Sequence, residues 1–169
     1  MKTVLLMRHA EAHPEQSHQA DFDRTLTPSG ENIATQTGVL LKQLGISACR
    51  IISSSAPRTL RTAQLLAAQA FPSVPLVARP ELYNAPAERL VNTLLRHCCP
   101  DEDSIMLVAH NPGIAGLMCR WTGRMLSVQP ATLLILTADT DDWALFPAAA
   151  HTISLLVQDA VAQPTDEDH

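Results

Sequence analysis

Aromatic side chains are scarce in this sequence, at 4% of 169 residues, and no run of Lys or Arg occurs. With a net charge of −5, the chain lacks the basic face that nucleic-acid phosphates require, so no nucleic acid is expected as a partner. No apolar run approaches the roughly 18 residues of a membrane-spanning helix. The first residues, one Lys followed by a short apolar stretch, do not fit a signal peptide. No membrane association and a cytoplasmic location are therefore expected. Cys49, Cys98, Cys99 and Cys119 form no C-x-x-C pair, and reduced thiols are expected in place of a disulfide framework. Internal repeats, low-complexity segments and Pro-, Gly- or Ser-rich linkers are also missing. One domain over residues 1–158 is expected, with a disordered tail over 159–169 that ends in "AQPTDEDH".

A hydrophobic content of 46% is enough to bury one core at this length. "MKTVLLM" (1–7) is a short apolar run without period-2 alternation and predicts a fully buried strand. After a loop from Glu11 to Leu26, Thr27 caps a predicted helix. Pro28 is its first residue, Ile33, Thr37, Leu40, Leu41 and Leu44 recur at helical spacing, and Gly45 stops it. "CRIISSS" and "VPLVA" predict further strands, each followed by a helical pattern. The first of these helices opens at Pro57 with a small face of Thr59, Ala63, Leu66, Ala67 and Ala70, which suggests close packing. "SIMLVAH" predicts a fourth strand leading into a helix at Pro112. "TLLILTA" and "WALFPA" are strand candidates, and "TISLLVQ" fits helix or strand equally. Strands alternating with helices predict an α/β fold, a three-layer α/β/α sandwich around a mostly parallel sheet.

In open α/β sheets, ligands bind beyond the carboxyl ends of the strands. The first strand ends in Arg8 and His9. The second ends in Ser53 and Ser54, with Arg58 in the first turn of the next helix, and the fourth ends in His110-Asn111-Pro112. Two of these segments lead into helix N-termini, which favour anions. Together with two guanidinium forks, they describe a pocket for phosphate.

"RHAEA" after an apolar strand, "RTLTPSG" opening a helix, "SSSAPRTLRTA" and "LVAHNPG", in this order, resemble the histidine phosphatase superfamily. Its short SixA-type phosphohistidine phosphatase branch is the nearest pattern. The resemblance implies a phosphoglycerate mutase-like fold and no metal or other cofactor. It puts the nucleophilic histidine on His9 and the phosphate-binding groups on Arg8, Arg58 and His110, the last expected to be protonated, with Asn111 beside them. The family's general acid follows the third strand in an L-x-E segment. Here that segment reads Leu82-Tyr83-Asn84, and Glu81 is the nearest carboxylate, ahead of Glu11. Ala10 stands where many members have Gly, and the insertion that covers the site in larger members is absent.

The activity implied is hydrolysis through a phosphohistidine intermediate on His9. The expected substrate is phosphohistidine on a protein, such as a signalling phosphotransfer domain, because departing imidazole needs less help from an acid than an alkoxide does. A small phosphate ester is the alternative substrate, and a non-catalytic phosphate-binding module is the alternative of another class. A metal site is a further reading, since His9, Glu11 and His13 alternate and would share one side of an extended chain. A zinc deaminase would also need a Pro-Cys-x-x-Cys, which is missing.

Overall fold

A computed structural model describes residues 1–158; the predicted tail lies outside the described residues. Six strands form one sheet. They are β1 (Lys2–Arg8), β2 (Arg50–Ser54), β3 (Leu76–Arg79), β4 (Ser104–Ala109), β5 (Leu133–Ala138) and β6 (His151–Val157), in the spatial order β3-β2-β4-β1-β5-β6. The pairs from β3 to β1 are parallel, whereas β5 and β6 add on antiparallel, so the sheet is mixed. The helices are α1 (Pro28–Gln43), α2 (Pro57–Ala70), α3 (Ala87–His97) and α4 (Gly113–Thr122). Among the described residues no helix is long and apolar enough to cross a membrane.

Side-chain alternation sorts the central strands onto two cores. Leu5, Met7, Met106 and Val108 face α1 and α2, while Val4, Leu6, Ile105 and Leu107 face α3 and α4. Burial on both faces explains why these strands read as unbroken apolar runs. Helix α1 starts as expected, with the Thr27 hydroxyl accepting from the Gly30 amide at 2.9 Å and Pro28 in the first turn. The small residues of α2 do pack closely: a Cβ on Gly38 of α1 would lie 2.4 Å from the Leu66 carbonyl oxygen.

One expectation changes and one open reading resolves. "WALFPA" is a 3-10 helix (Trp143–Ala148), not a strand. Residues three apart eclipse in such a helix, which turns both Trp143 and Phe146 inward with ring centroids 5.6 Å apart. Asp142 caps it through the Ala144 amide at 2.9 Å. "TISLLVQ" resolves as strand, because β6 alternates half-buried and exposed residues along its outer half.

Helix α4 begins in contact with the chain that precedes α3. A Cβ on Gly113 would stand 2.0 Å from the Ala85 carbonyl oxygen, whereas one on Gly116 would meet only the Ala87 Cβ at 3.6 Å. Gly113→Ala is therefore expected to cost about 1–3 kcal/mol of stability through overpacking. Gly116→Ala should be neutral or stabilising by up to about 1 kcal/mol through helix propensity. Urea unfolding of the two variants checks the contrast, and equal stabilities would contradict this account of the α4 start.

Candidate active site

Arg8 pairs with Ala109 across the parallel β1–β4 ladder, and β2 lies on the other side of β4. Three neighbouring strands therefore deliver their carboxyl ends, and the residues after them, to one place. His9 follows β1, His110 follows β4, and Arg58 stands in the first turn of α2 just after β2. The structure brings all four predicted groups together.

His9 is 6% exposed. Its Nδ1 lies 2.7 Å from the Ala10 carbonyl oxygen, which can only accept, so Nδ1 carries the proton and Nε2 keeps its lone pair. The Arg58 Nε–H donates to that Nε2 at 3.4 Å. Backbone bonds fix the residue further: the His9 amide donates to the Ala109 carbonyl at 3.1 Å and its carbonyl accepts from the Ala131 amide at 3.0 Å. Burial above all, and then the charges of Arg58 and Arg8, push the His9 imidazole down to about 4 against the lift from its Ala10 bond.

His110 is 2% exposed. Its Nε2 lies 2.8 Å from the Ser54 hydroxyl and 3.1 Å from the Thr59 hydroxyl. Its Nδ1 is buried without a hydrogen-bond partner among the described residues, as is the Arg8 Nε. Buried polar atoms are rarely left unpaired; the Arg8 Nε–H can only donate, so an acceptor belongs beside it, with the unpaired His110 Nδ1 in the same cluster. His110 does not carry the charge expected of it in the free site. Burial first, and then its neighbours His9 and Arg58, hold it down to about 3.

Arg8 Nη1 donates to the Val128 carbonyl at 2.9 Å, and burial together with Arg24 and Arg58 disfavours its charge. Arg58, 2% exposed, is gripped by Asp21. Its Nη1 donates to the Asp21 carbonyl at 2.7 Å and its Nη2 to Asp21 Oδ2 at 3.0 Å. Oδ2 also accepts from the Tyr83 hydroxyl, and Oδ1 from Arg24 Nη1 at 3.0 Å. The Tyr83 bond most of all, followed by Arg24 and Arg58, holds the Asp21 carboxyl far below the usual carboxylate range.

Two other assignments need correction. Glu81 stands apart from the cluster. It lies in a 3-10 turn (Pro80–Leu82) whose steep rotation buries Leu82, and its own carboxylate sits 3.9 Å from His97 Nε2 beside α3. The next residue, Tyr83, is the one that reaches the site, with its ring edge-on to His110 at 5.5 Å. Asn111 is committed to structure, its amide donating to the Val128 carbonyl at 3.1 Å and its oxygen accepting from the Ala115 amide at 3.2 Å. Glu11 accepts from the Thr27 hydroxyl at 2.8 Å in an exposed loop, where His13 is exposed too. Among the described residues no group of three or more His, Cys, Asp or Glu side chains could hold a metal ion.

Sequence reasoning missed Asp21, Tyr83 and Arg24. The chain's one Tyr, lying where an acid was sought, was the available signal. The buried Thr62 was missed as well; its hydroxyl donates to the Arg58 carbonyl at 2.7 Å and accepts from the Ala10 amide at 3.0 Å.

Comparison with known proteins fits this arrangement. Residues 4–86 match the model of the histidine phosphatase superfamily (branch 1). The protein assigned as phosphohistidine phosphatase SixA from Agrobacterium tumefaciens superposes with a TM-score of 0.78 at 26% identity, covering 93% of this chain and 98% of that one. Its counterpart from Nakamurella gives 0.79 at 22% identity, over 95% and 97%. An uncharacterized chloroplastic protein of Arabidopsis thaliana is 27% identical over 150 residues, 84% of this chain and 69% of its own length. Further curated relatives, 36% and 42% identical over 63 and 69 residues, are spanned over only 21% and 31% of their lengths. From the match over β1 to the start of α3 and the whole-chain superposition on a SixA structure, the chain belongs to the histidine phosphatase superfamily, with the fold of its short SixA-type members.

Proposed function

We propose that residues 1–158 form a phosphatase domain that removes phosphate from phosphohistidine on a protein, through a phosphohistidine intermediate on His9. The observation that carries this reading is the His9 Nε2 lone pair facing Arg58, with the partnerless Arg8 Nε and His110 Nδ1 in the same cluster. A phosphoryl group is an acceptor for Arg8, for Arg58 and for His110 once that imidazole is protonated, and an electrophile for the lone pair.

In the first step His9 Nε2 attacks phosphorus while the bond to the substrate nitrogen breaks. The leaving imidazole takes the electron pair and departs neutral once its other nitrogen is protonated. Arg8, Arg58 and His110 stabilise charge on the phosphoryl oxygens, and a phosphate dianion raises the proton affinity of His110 on arrival. Water then attacks phospho-His9, releasing inorganic phosphate and restoring the lone pair. The SixA relative named above supports the substrate class. So does the acid inventory: Asp21 is held ionised and Glu81 stands beside His97, apart from the cluster, so neither carboxyl is set to protonate an alkoxide.

Incubation with a 32P-labelled phosphohistidine protein should yield an alkali-stable, acid-labile label on His9. His9→Ala should abolish both the label and turnover, and Arg58→Ala should slow turnover by about 10² to 10³. EDTA should change nothing. A small phosphate ester turned over faster than the phosphoprotein would favour the small-molecule reading, and ligand binding without label would leave a binding module. Activity that survives in His9→Ala would sink the mechanism.

A pH dependence follows from the two imidazoles. In the unfolded chain they take up protons near 6.5, but in the folded chain only near 4 and 3. As pH falls through this window the unfolded state binds more protons, so this contribution to stability is fully present above about 6.5 and is lost toward 4. Denaturation at pH 7.5, 6 and 5 should show the decline, and His9→Asn should make it shallower. NMR should find the His9 and His110 ring protons not titrating between pH 7.5 and 5.5.

A further inference from the structure

Asp21 is the carboxylate bonded into the cluster to which the reaction above gives no task. The edge of the guanidinium it uses indicates one. Nη1 and Nη2, the two terminal nitrogens, point to the Asp21 carbonyl and carboxylate, while Nε on the opposite side donates to His9 Nε2. Asp21 thus holds the group end-on. The lateral edge made by Nε and the second Nη2 hydrogen is left turned to His9, and that edge can fork onto two phosphoryl oxygens.

The grip is itself braced. The Tyr83 hydroxyl and Arg24 donate to the same carboxylate. The Tyr83 ring packs edge-on against His110 at 5.5 Å and against Phe22 at 5.0 Å. Asp21 lies in a 3-10 turn (Asp21–Asp23), Tyr83 follows β3, and Arg58 opens α2. Three segments distant in sequence therefore meet on one carboxylate.

We propose that Asp21 is a positioning residue for Arg58: it fixes the guanidinium end-on so that the Nε edge faces the phosphoryl group on His9, with Tyr83 fixing the carboxylate in turn. The proposal rests on the phosphoryl-transfer reading for its effect on rate, because a misdirected Arg58 matters only if charge develops beside it. An error of about 1 Å in such a group costs up to about 10²-fold in rate.

The test is a double-mutant cycle on the full chain, read with the phosphohistidine protein and with NMR of the Arg58 Nε–H. Asp21→Ala should lower kcat about 30- to 100-fold with KM nearly unchanged, and should broaden or shift the Arg58 Nε–H resonance. Asp21→Asn, which keeps an oxygen to accept the Nη2 hydrogen, should recover much of that loss. Tyr83→Phe should show a smaller loss of the same kind. Asp23→Asn, on the same turn but exposed and outside the network, should behave as wild type. In an Arg58→Ala background, Asp21→Ala should cost no more than about 2-fold, since residues acting as a unit are not additive. A full additional loss in that background, or an unchanged Nε–H resonance in Asp21→Ala, overturns the proposal. An inert wild-type protein overturns the phosphatase reading instead, and the resonance still decides whether Asp21 holds Arg58. If Asp21→Ala does not fold, Asp21→Asn and Tyr83→Phe carry the same comparison.

Discussion

Everything at this site depends on packing Arg8, Arg58, His9 and His110 against one another, the last three of them buried. Two cations about 5 Å apart repel by about 3 kcal/mol at an effective dielectric near 20, so four positive groups in this space would be untenable without an anion. The protein resolves the conflict in three ways. Burial keeps both imidazoles neutral, the Val128 carbonyl accepts from Arg8, and Asp21 neutralises the far end of Arg58. What is left is a patch with positive charge, two side-chain nitrogens without partners and a His9 lone pair met only by the long Arg58 Nε–H contact.

The sheet makes this crowding possible because strand order, not sequence order, sets the neighbours. With β4 between β1 and β2, the carboxyl ends of three parallel strands lie side by side. Each contributes its functional group within a few residues of the last ladder pair, where the backbone is still fixed by sheet bonds. The supporting contacts are local and buried: Thr62 ties the Ala10 amide to the Arg58 carbonyl, and Ser54 and Thr59 hold one edge of His110. The antiparallel strands β5 and β6 extend the sheet away from the site, which helps explain why it needs no residues from them.

The parts of the molecule legible from sequence were those governed by short-range rules. Periodicity and capping located α1 and the four parallel strands, and the strand-end rule singled out Arg8, His9, Arg58 and His110. Where geometry turns by 120° per residue the rules were blind. Trp143 and Phe146 looked like strand residues until the 3-10 helix turned both inward, and the 3-10 turn at Pro80–Leu82 sends Glu81 outward while Tyr83 goes to the site. Asp21 was invisible for a different reason. Arg58 and Tyr83, the partners that tie it to the site, are 37 and 62 residues away, and no local pattern encodes such a contact. The charge of His110 in the free site is set by the dielectric and by neighbours from other strands, not by its own segment.

The same electrostatics that make the cluster possible also bear on which bond it can break. A neutral imidazole with Nδ1 bonded to the Ala10 carbonyl keeps its lone pair on Nε2, so on the proposed reading His9 needs no base. A carboxylate that accepts from Tyr83, Arg24 and Arg58 is held ionised and cannot also serve as an acid. A site strong in charge stabilisation and in nucleophile, but without a proton donor among its carboxyls, is matched to a leaving group that departs well by itself. Imidazole released from phosphorus is such a group, and an aliphatic alkoxide is not. On the proposed reading, then, the preference for an N–P bond is a consequence of the charge balance around Arg58, set by the residue that orients it.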